Sequence, residues 1–300
     1  MSKPHNQNSS LSPVNPGSAV SPRKGLGAVG SPIPWRFDPF AILGVLLLIG
    51  IWQALLPVTP RSALPTPWGV VTTLVQKFWY HKTFAFYGLV DTGFFSALLY
   101  TVENVLMAML AGTAIGTVAG LVTARSSLMR AVLDPIALTL GTVPIIIASP
   151  FLLLWLGGDR ASAVATVAFY VSVILYTYAQ RAADNLNPVY ESAARTFGAS
   201  PRRILWDVLV PGTLPEILGG IRIALAGAWG LEAIAELLAS QRGLGKLIRS
   251  ITAVSDVQTL FAALLLLALT AAVFDAIVTS LFARITRWRA LPANGRSGAI

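Results

Sequence analysis

Glu232 and Glu236 stand four residues apart in an otherwise apolar run, a spacing that puts both carboxylates on one face of a helix. Paired carboxylates can carry acid–base hydrolysis, but that chemistry also needs a nucleophile, a histidine or a metal beside them, and none accompanies this pair. The only histidines are His5 and His81, and neither has a second ligand at metal spacing. The chain has no cysteine, which removes disulfides, cysteine-ligated zinc and thiol nucleophiles. Two nucleotide-binding look-alikes also fail. Gly243-Leu244-Gly245-Lys246 approaches a P-loop, yet Ser240 stands where the first glycine belongs and Leu247 where a Ser or Thr must follow the lysine. Gly25-Leu26-Gly27-Ala28-Val29-Gly30 fits GxGxxG, but prolines and serines flank it instead of a strand and a helix. The expectation is a chain with no catalytic residues and no cofactor or metal of its own.

The elements that must position these residues are apolar. Of 300 residues, 55% are hydrophobic and 12% charged, with a mean hydropathy of +0.68. Soluble domains carry about 25% charged residues. Such a chain satisfies its backbone by spending much of its length as helix in lipid. Apolar runs at about 39–56, 98–123, 132–156, 162–180, 213–239 and 259–283 approach the roughly 20 residues that a spanning helix needs, so the expected fold is an all-α polytopic membrane protein with about six transmembrane helices. Residues 1–37, rich in Ser, Pro, Gly and Asn, read as a disordered tail and not as a signal peptide. Residues 38–97 hold the first span and an interfacial aromatic segment, 98–286 the core, 187–212 a polar element within that core, and 287–300 a C-terminal tail.

The net charge of +9 is read by position. With the N-terminus placed in the cytoplasm, about twice as many Lys and Arg fall on the inner side as on the outer, leaving Arg222 inside the fifth span. This predicts a multi-pass plasma membrane protein with both termini cytoplasmic, surrounded by membrane lipid, and excludes nucleic acid as the reason for the positive charge.

The polar element reads NPVYESAARTFGASPRRILWDVLVPGTLP from Asn187 to Pro215. Asn187-Pro188 starts a helix, Tyr190, Ala193, Ala194 and Phe197 recur at helical spacing, and Gly198 interrupts. Pro201 opens a second helix with an apolar face of Ile204, Leu205 and Val208, which Val210-Pro211 is expected to end. Physically this is a helix, a glycine bend and a second helix. It is either a connector lying on the headgroups or a docking element for another protein.

The segment resembles the EAA loop of ABC-importer permeases, and the chain is similar to the sulfonate/taurine/nitrate-type family of binding-protein-dependent inner-membrane permeases. Ala193, Ala194, Gly198 and Pro211 fall on the EAA pattern. In order along the chain come Leu64-Pro65-Thr66-Pro67, Asp134-Pro135 opening the third span, Val143-Pro144 within it, Gly219-Gly220-Ile221-Arg222-Ile223-Ala224, Ala235-Glu236 and Gly243-Leu244-Gly245. One departure matters. Ser192 occupies the place of the family's glutamate, and Glu191 is displaced by one residue, about 100° round a helix. The resemblance implies a type I permease fold. It implies an ATPase-coupling loop comprising Glu191, Ser192, Ala193, Ala194, Gly198, Ala199, Arg202, Arg203 and Pro211. The implied partners are a cytosolic ABC ATPase dimer that hydrolyses ATP, an extracytoplasmic solute-binding protein and a second copy of this permease. The cargo implied is a small anion such as an alkanesulfonate, taurine or nitrate, although relatives also move neutral heterocycles.

Charges within spans should face protein or water, because each costs about 2.5–3.5 kcal/mol at the bilayer centre on insertion scales. Arg222, Glu232 and Glu236 are therefore candidates for the lining of a translocation path, with a structural ion pair as the alternative, and Trp229 is a further candidate on the same span. Gly112, Gly116 and Gly120 form a repeated GxxxG ridge that predicts close helix packing. The alternative to a permease subunit is a stand-alone secondary carrier or channel, but no internal repeat of the kind carriers show is visible.

Overall fold

The computed structural model describes residues 39–60, 62–86, 93–158 and 160–287, and the terminal-tail expectations for 1–37 and 287–300 lie outside them except at residue 287. Everything described is helix and short connection. The helices are α1 (Pro39–Leu55), α2 (Pro67–Gln76), α3 (Lys82–Phe86), α4 (Phe94–Arg125), α5 (Ser127–Thr142), α6 (Ile145–Leu156), α7 (Arg160–Asp184), α8 (Pro188–Thr196), α9 (Pro201–Arg203), α10 (Val210–Ala239), α11 (Gly243–Ala253) and α12 (Val257–Ile285). Residues Ile204–Leu209 between α9 and α10 form a π-helical turn.

Helices α4, α7, α12 and the run from α9 through α10 are each long and apolar enough to cross a membrane. The pair α5–α6 passes the same length and composition only when taken together, and α1 is a shorter apolar helix. About six transmembrane helices were expected; among the described residues four pass by length and composition, or five with the bent pair as one span, and α1 at the first expected segment falls short.

The centre is built on glycine. Gly112, Gly116 and Gly120 of α4 lie against the backbone of α7, and a Cβ on Gly112 would stand 2.6 Å from the Ala168 carbonyl oxygen. At Gly116 and Gly120 an added Cβ would strike the carbonyl oxygens of Ser172 and Tyr176. Absence of side chains lets the two backbones approach closely, which is how helices associate where lipid supplies no hydrophobic drive. Around this contact Val105, Ala108, Val167, Val171, Leu175, Ala224, Leu225 and Ala228 form one core joining α4, α7 and α10. A second core joins α2, α3, α4, α11 and α12 through Val70, Phe84, Phe94, Leu244, Leu247, Ile251 and Ala262.

Several boundaries differ from the sequence expectation. The third apolar segment is not one rod: α5 and α6 meet at 102°. Pro144 explains the break, because it pushes Val143 out of helical backbone, and Val143 sits at φ −78°, ψ 123°. Asp134-Pro135 does not open that segment; α5 starts at Ser127, where the Ser126 hydroxyl accepts the Met129 N–H at 3.3 Å. Val210-Pro211 does not end a helix. Pro211 lies in the first turn of α10, and the wider π turn before it leaves room for a ring that would clash in an α-helix interior. In the aromatic segment after α1, Phe84 and Val70 are buried and Lys77 pairs with Asp256 at 3.2 Å, while Trp68, Trp79 and Tyr80 are exposed.

Candidate functional site

The coupling candidates sit on α8, the bend after it, α9 and the first turn of α10. The Asn187 side-chain oxygen accepts the Val189 N–H at 3.0 Å and Pro188 occupies the first helical turn, so the helix start is fixed twice. At the other end Gly198 has φ +77°, its N–H bonds to the Arg195 carbonyl at 2.9 Å, and the Ala199 N–H bonds to the Ala194 carbonyl at 3.0 Å. That pairing is a Schellman stop, which requires a left-handed residue at this position. A Cβ on Gly198 would meet nothing within 4 Å, so backbone conformation, not space, demands the glycine. Ser200 then accepts the Arg203 N–H at 3.4 Å and Pro201 starts the next helix, which runs through the π turn into α10.

Glu191 makes a two-point ion pair with Arg125 at the end of α4. The Arg125 guanidinium holds the Glu191 carboxyl below the usual carboxylate range. The one-residue displacement from the EAA pattern therefore has a structural consequence: this carboxylate ties α8 to α4, while Ser192 faces solvent.

The rest of α8 faces outward. It buries no residue, with Ala193 exposed and Ala194 partly covered; beyond it Arg202 and Arg203 of α9 are exposed, and Ala199 in the bend and Pro211 in α10 are partly covered. Tyr190 is 61% and Phe197 90% exposed. Tyr190, Ala193 and Phe197 are spaced three and four residues apart, so they form one apolar stripe on a helix anchored by its opposite side. The sequence marks that stripe but not its direction. Trp206, also exposed, was missed, and its only signal was an aromatic in a basic segment.

The four path candidates separate. Trp229 is enclosed, its ring 5.1 Å from that of Phe274, and Glu232 and Glu236 are fully buried. Glu236 accepts the Gly245 N–H at 2.9 Å, the Thr101 hydroxyl at 2.8 Å and the Asn104 amide at 3.3 Å. Thr101 in turn accepts the Leu244 N–H at 2.9 Å. Two free amides at the start of α11 are thus satisfied, and a carboxylate rests on the positive end of that helix. Gly243, at φ +90°, and Gly245 are glycines because a Cβ on either would run into Glu236. Glu232 lies one turn earlier beside Asn104.

Arg222 is the exception. Its guanidinium makes two hydrogen bonds to Asp275 of α12, at 2.7 and 2.8 Å, and its side chain remains 52% exposed.

Residues 112–288, more than half of the chain, match the family described as binding-protein-dependent transport system inner membrane component. The chain belongs to that family. It is a permease subunit and an inner-membrane component of an ABC importer. Among its relatives is the taurine transport system permease protein of Escherichia coli (strain K12), 28% identical over 67% of this chain and 73% of that protein. An aliphatic sulfonates transport permease protein assigned in Bacillus subtilis (strain 168) is 28% identical over 82% of this chain and 87% of its own. In fold the permease resembles a chain of the MetNI methionine ABC transporter solved in inward-facing conformations, with a TM-score of 0.55 and 20% identity over 65% of this chain and 95% of that one.

Proposed function

We propose that this permease moves a small solute bearing an oxyanion, of the sulfonate type, and that α8 is the surface through which a cytosolic ABC ATPase drives it. The observation that carries the reading is the exposed Tyr190–Ala193–Phe197 stripe on a helix capped at both ends and tied to α4 by Arg125–Glu191. An exposed apolar stripe on a rigid helix has no use in water and fits a groove in a partner. Because the segment from Pro201 runs unbroken into α10, a push on the bend at Gly198 is transmitted to a membrane helix instead of being lost in a loop.

Family membership supports the remaining assignments. Two copies pair around the path, two ATPase subunits hydrolyse ATP on the side of α8, and a solute-binding protein delivers cargo on the opposite side, where α2, α3 and α11 are packed. Both termini then lie in the cytoplasm. No ATP-binding or catalytic group is assigned to this chain. The names of the taurine and sulfonate relatives support the cargo class.

The experiment is uptake of radiolabelled taurine and of an alkanesulfonate by cells carrying the intact importer, with wild-type permease and with Phe197→Asp. The reading expects ATP-dependent uptake that Phe197→Asp abolishes while the variant still reaches the membrane. Full uptake by Phe197→Asp overturns the docking assignment, and uptake of neither solute overturns the cargo class.

A further inference from the structure

Of the ion pairs named above, only Arg222–Asp275 has both partners ten or more residues from either end of their helices. A buried pair of this kind is ordinarily sealed, and a surface pair ordinarily lies at the membrane edge. This pair is neither: the side chains are 52% and 40% exposed, in the middle of helices apolar enough to cross a membrane. Charges exposed at that depth face water or protein, because hydrocarbon does not accept them. The strip of α10 around Arg222 is correspondingly open. Gly219, Ile223, Ala226 and Gly230 are exposed, and a Cβ on Gly219 or Gly230 would touch nothing within 4 Å.

The contact also has a form suited to exchange. Arg222 presents Nε and one Nη to the two oxygens of Asp275, the planar fork with which guanidinium groups also grip sulfonates, phosphates and carboxylates. An oxyanion with the same two-oxygen edge can replace Asp275 without any change in the arginine. We propose that Arg222 and Asp275 form an exchangeable ion pair on the translocation path, in which a passing oxyanion takes the Arg222 guanidinium and Asp275 recovers it after release. Asp275 thereby keeps the path neutral when empty and prevents Arg222 from holding the solute too long, since conduction requires binding weak enough to leave. This rests on the permease reading and adds the residue that meets the anion.

The natural chain lacks cysteine, so a single introduced thiol reports cleanly. In the full-length protein in native membrane vesicles, Ala226→Cys, one turn from Arg222, is treated with two aqueous thiol reagents of equal size, one bearing a sulfonate and one a quaternary ammonium. The expected result is labelling by both. The sulfonate-to-ammonium rate ratio should rise several-fold with Asp275→Asn, fall several-fold with Arg222→Gln, and methanesulfonate should protect the thiol only where Arg222 is present. No labelling by either reagent places the face against lipid or a second copy and overturns the proposal, as does a ratio unmoved by Arg222→Gln. The assay needs neither ATPase nor uptake, so its failure is separable from failure of the docking and cargo assignments. A companion variant, Arg222→Gln with Asp275→Asn, retains a neutral hydrogen-bonded pair. It should reach the membrane and lose anion uptake, whereas wild-type uptake by it shows a purely structural pair and contradicts the exchange.

Discussion

The carboxylate of Glu236 sits on the first turn of α11, with the Gly245 N–H 2.9 Å from its Oε2. Removing it leaves the buried Gly245 N–H without its acceptor, at a cost of about 1–3 kcal/mol. Glu236→Ala should therefore lower the detergent-solubilised melting temperature measurably, and Glu236→Gln, which keeps an acceptor, should lower it less. Equal melting of Glu236→Ala and wild type would remove the capping role.

Gly245→Ala should be worse than its single methyl suggests. The added Cβ runs into the Ala233 carbonyl and the Glu236 side chain, both held by helix backbone. A fall in the yield of folded protein on size-exclusion chromatography checks it.

The Gly198 bend predicts a graded series. Asn visits left-handed backbone readily, Ala costs about 1 kcal/mol there and a β-branched residue costs more. Uptake should fall in the order Gly198→Asn, Gly198→Ala, Gly198→Val, with membrane insertion intact throughout. A Gly198→Val variant with unchanged uptake would count against the bend as a coupling element.

For Arg125–Glu191 the sign of the pH dependence follows from the carboxyl being held below its ordinary value of 4.5. A group with a depressed folded value contributes stability above its unfolded value, and that contribution is lost as the pH falls through the lower folded one. A spin label on Ser192→Cys should show α8 immobile at neutral pH and mobile only on acidification below about 4.5. Glu191→Gln should be mobile at neutral pH. The charge swap Arg125→Glu with Glu191→Arg should restore order if the pair, and not either residue alone, anchors the helix.

The α4–α7 contact is the least forgiving. Gly116→Val places a branched side chain on the Ser172 carbonyl, and overpacking of this kind costs about 1–3 kcal/mol or more where backbone cannot move. Loss of folded protein at normal expression is the expected readout.

Much of this was legible in the sequence for a physical reason: lipid forces long apolar helices and close small-residue packing, so six segments and the glycine ridge were visible from composition and spacing. Helix breaks were harder. Val143-Pro144 breaks its segment, while Pro135 stays inside α5 and Pro211 follows a π turn into the first turn of α10, a difference set by the surrounding residues and not by the prolines themselves. The coupling stripe was visible at Tyr190, Ala193 and Phe197, but its outward direction depended on Glu191 finding Arg125, 66 residues away. The path candidates were the hardest to tell apart in the sequence. A carboxylate in an apolar run looks alike whether it caps a buried helix, as Glu236 does, or faces water, and only the positions of Thr101 and Gly245 separate the two.

The central claim is that α8 joins this permease to an ATPase. The direct measurement is gentle-detergent purification of the full chain from its native membrane, with mass spectrometry of what remains bound. The account predicts a stoichiometric P-loop ATPase that is retained by wild type and lost from Phe197→Asp, although that variant is equally abundant in the membrane. An ATPase-free permease, or an ATPase bound as tightly to Phe197→Asp as to wild type, would contradict it.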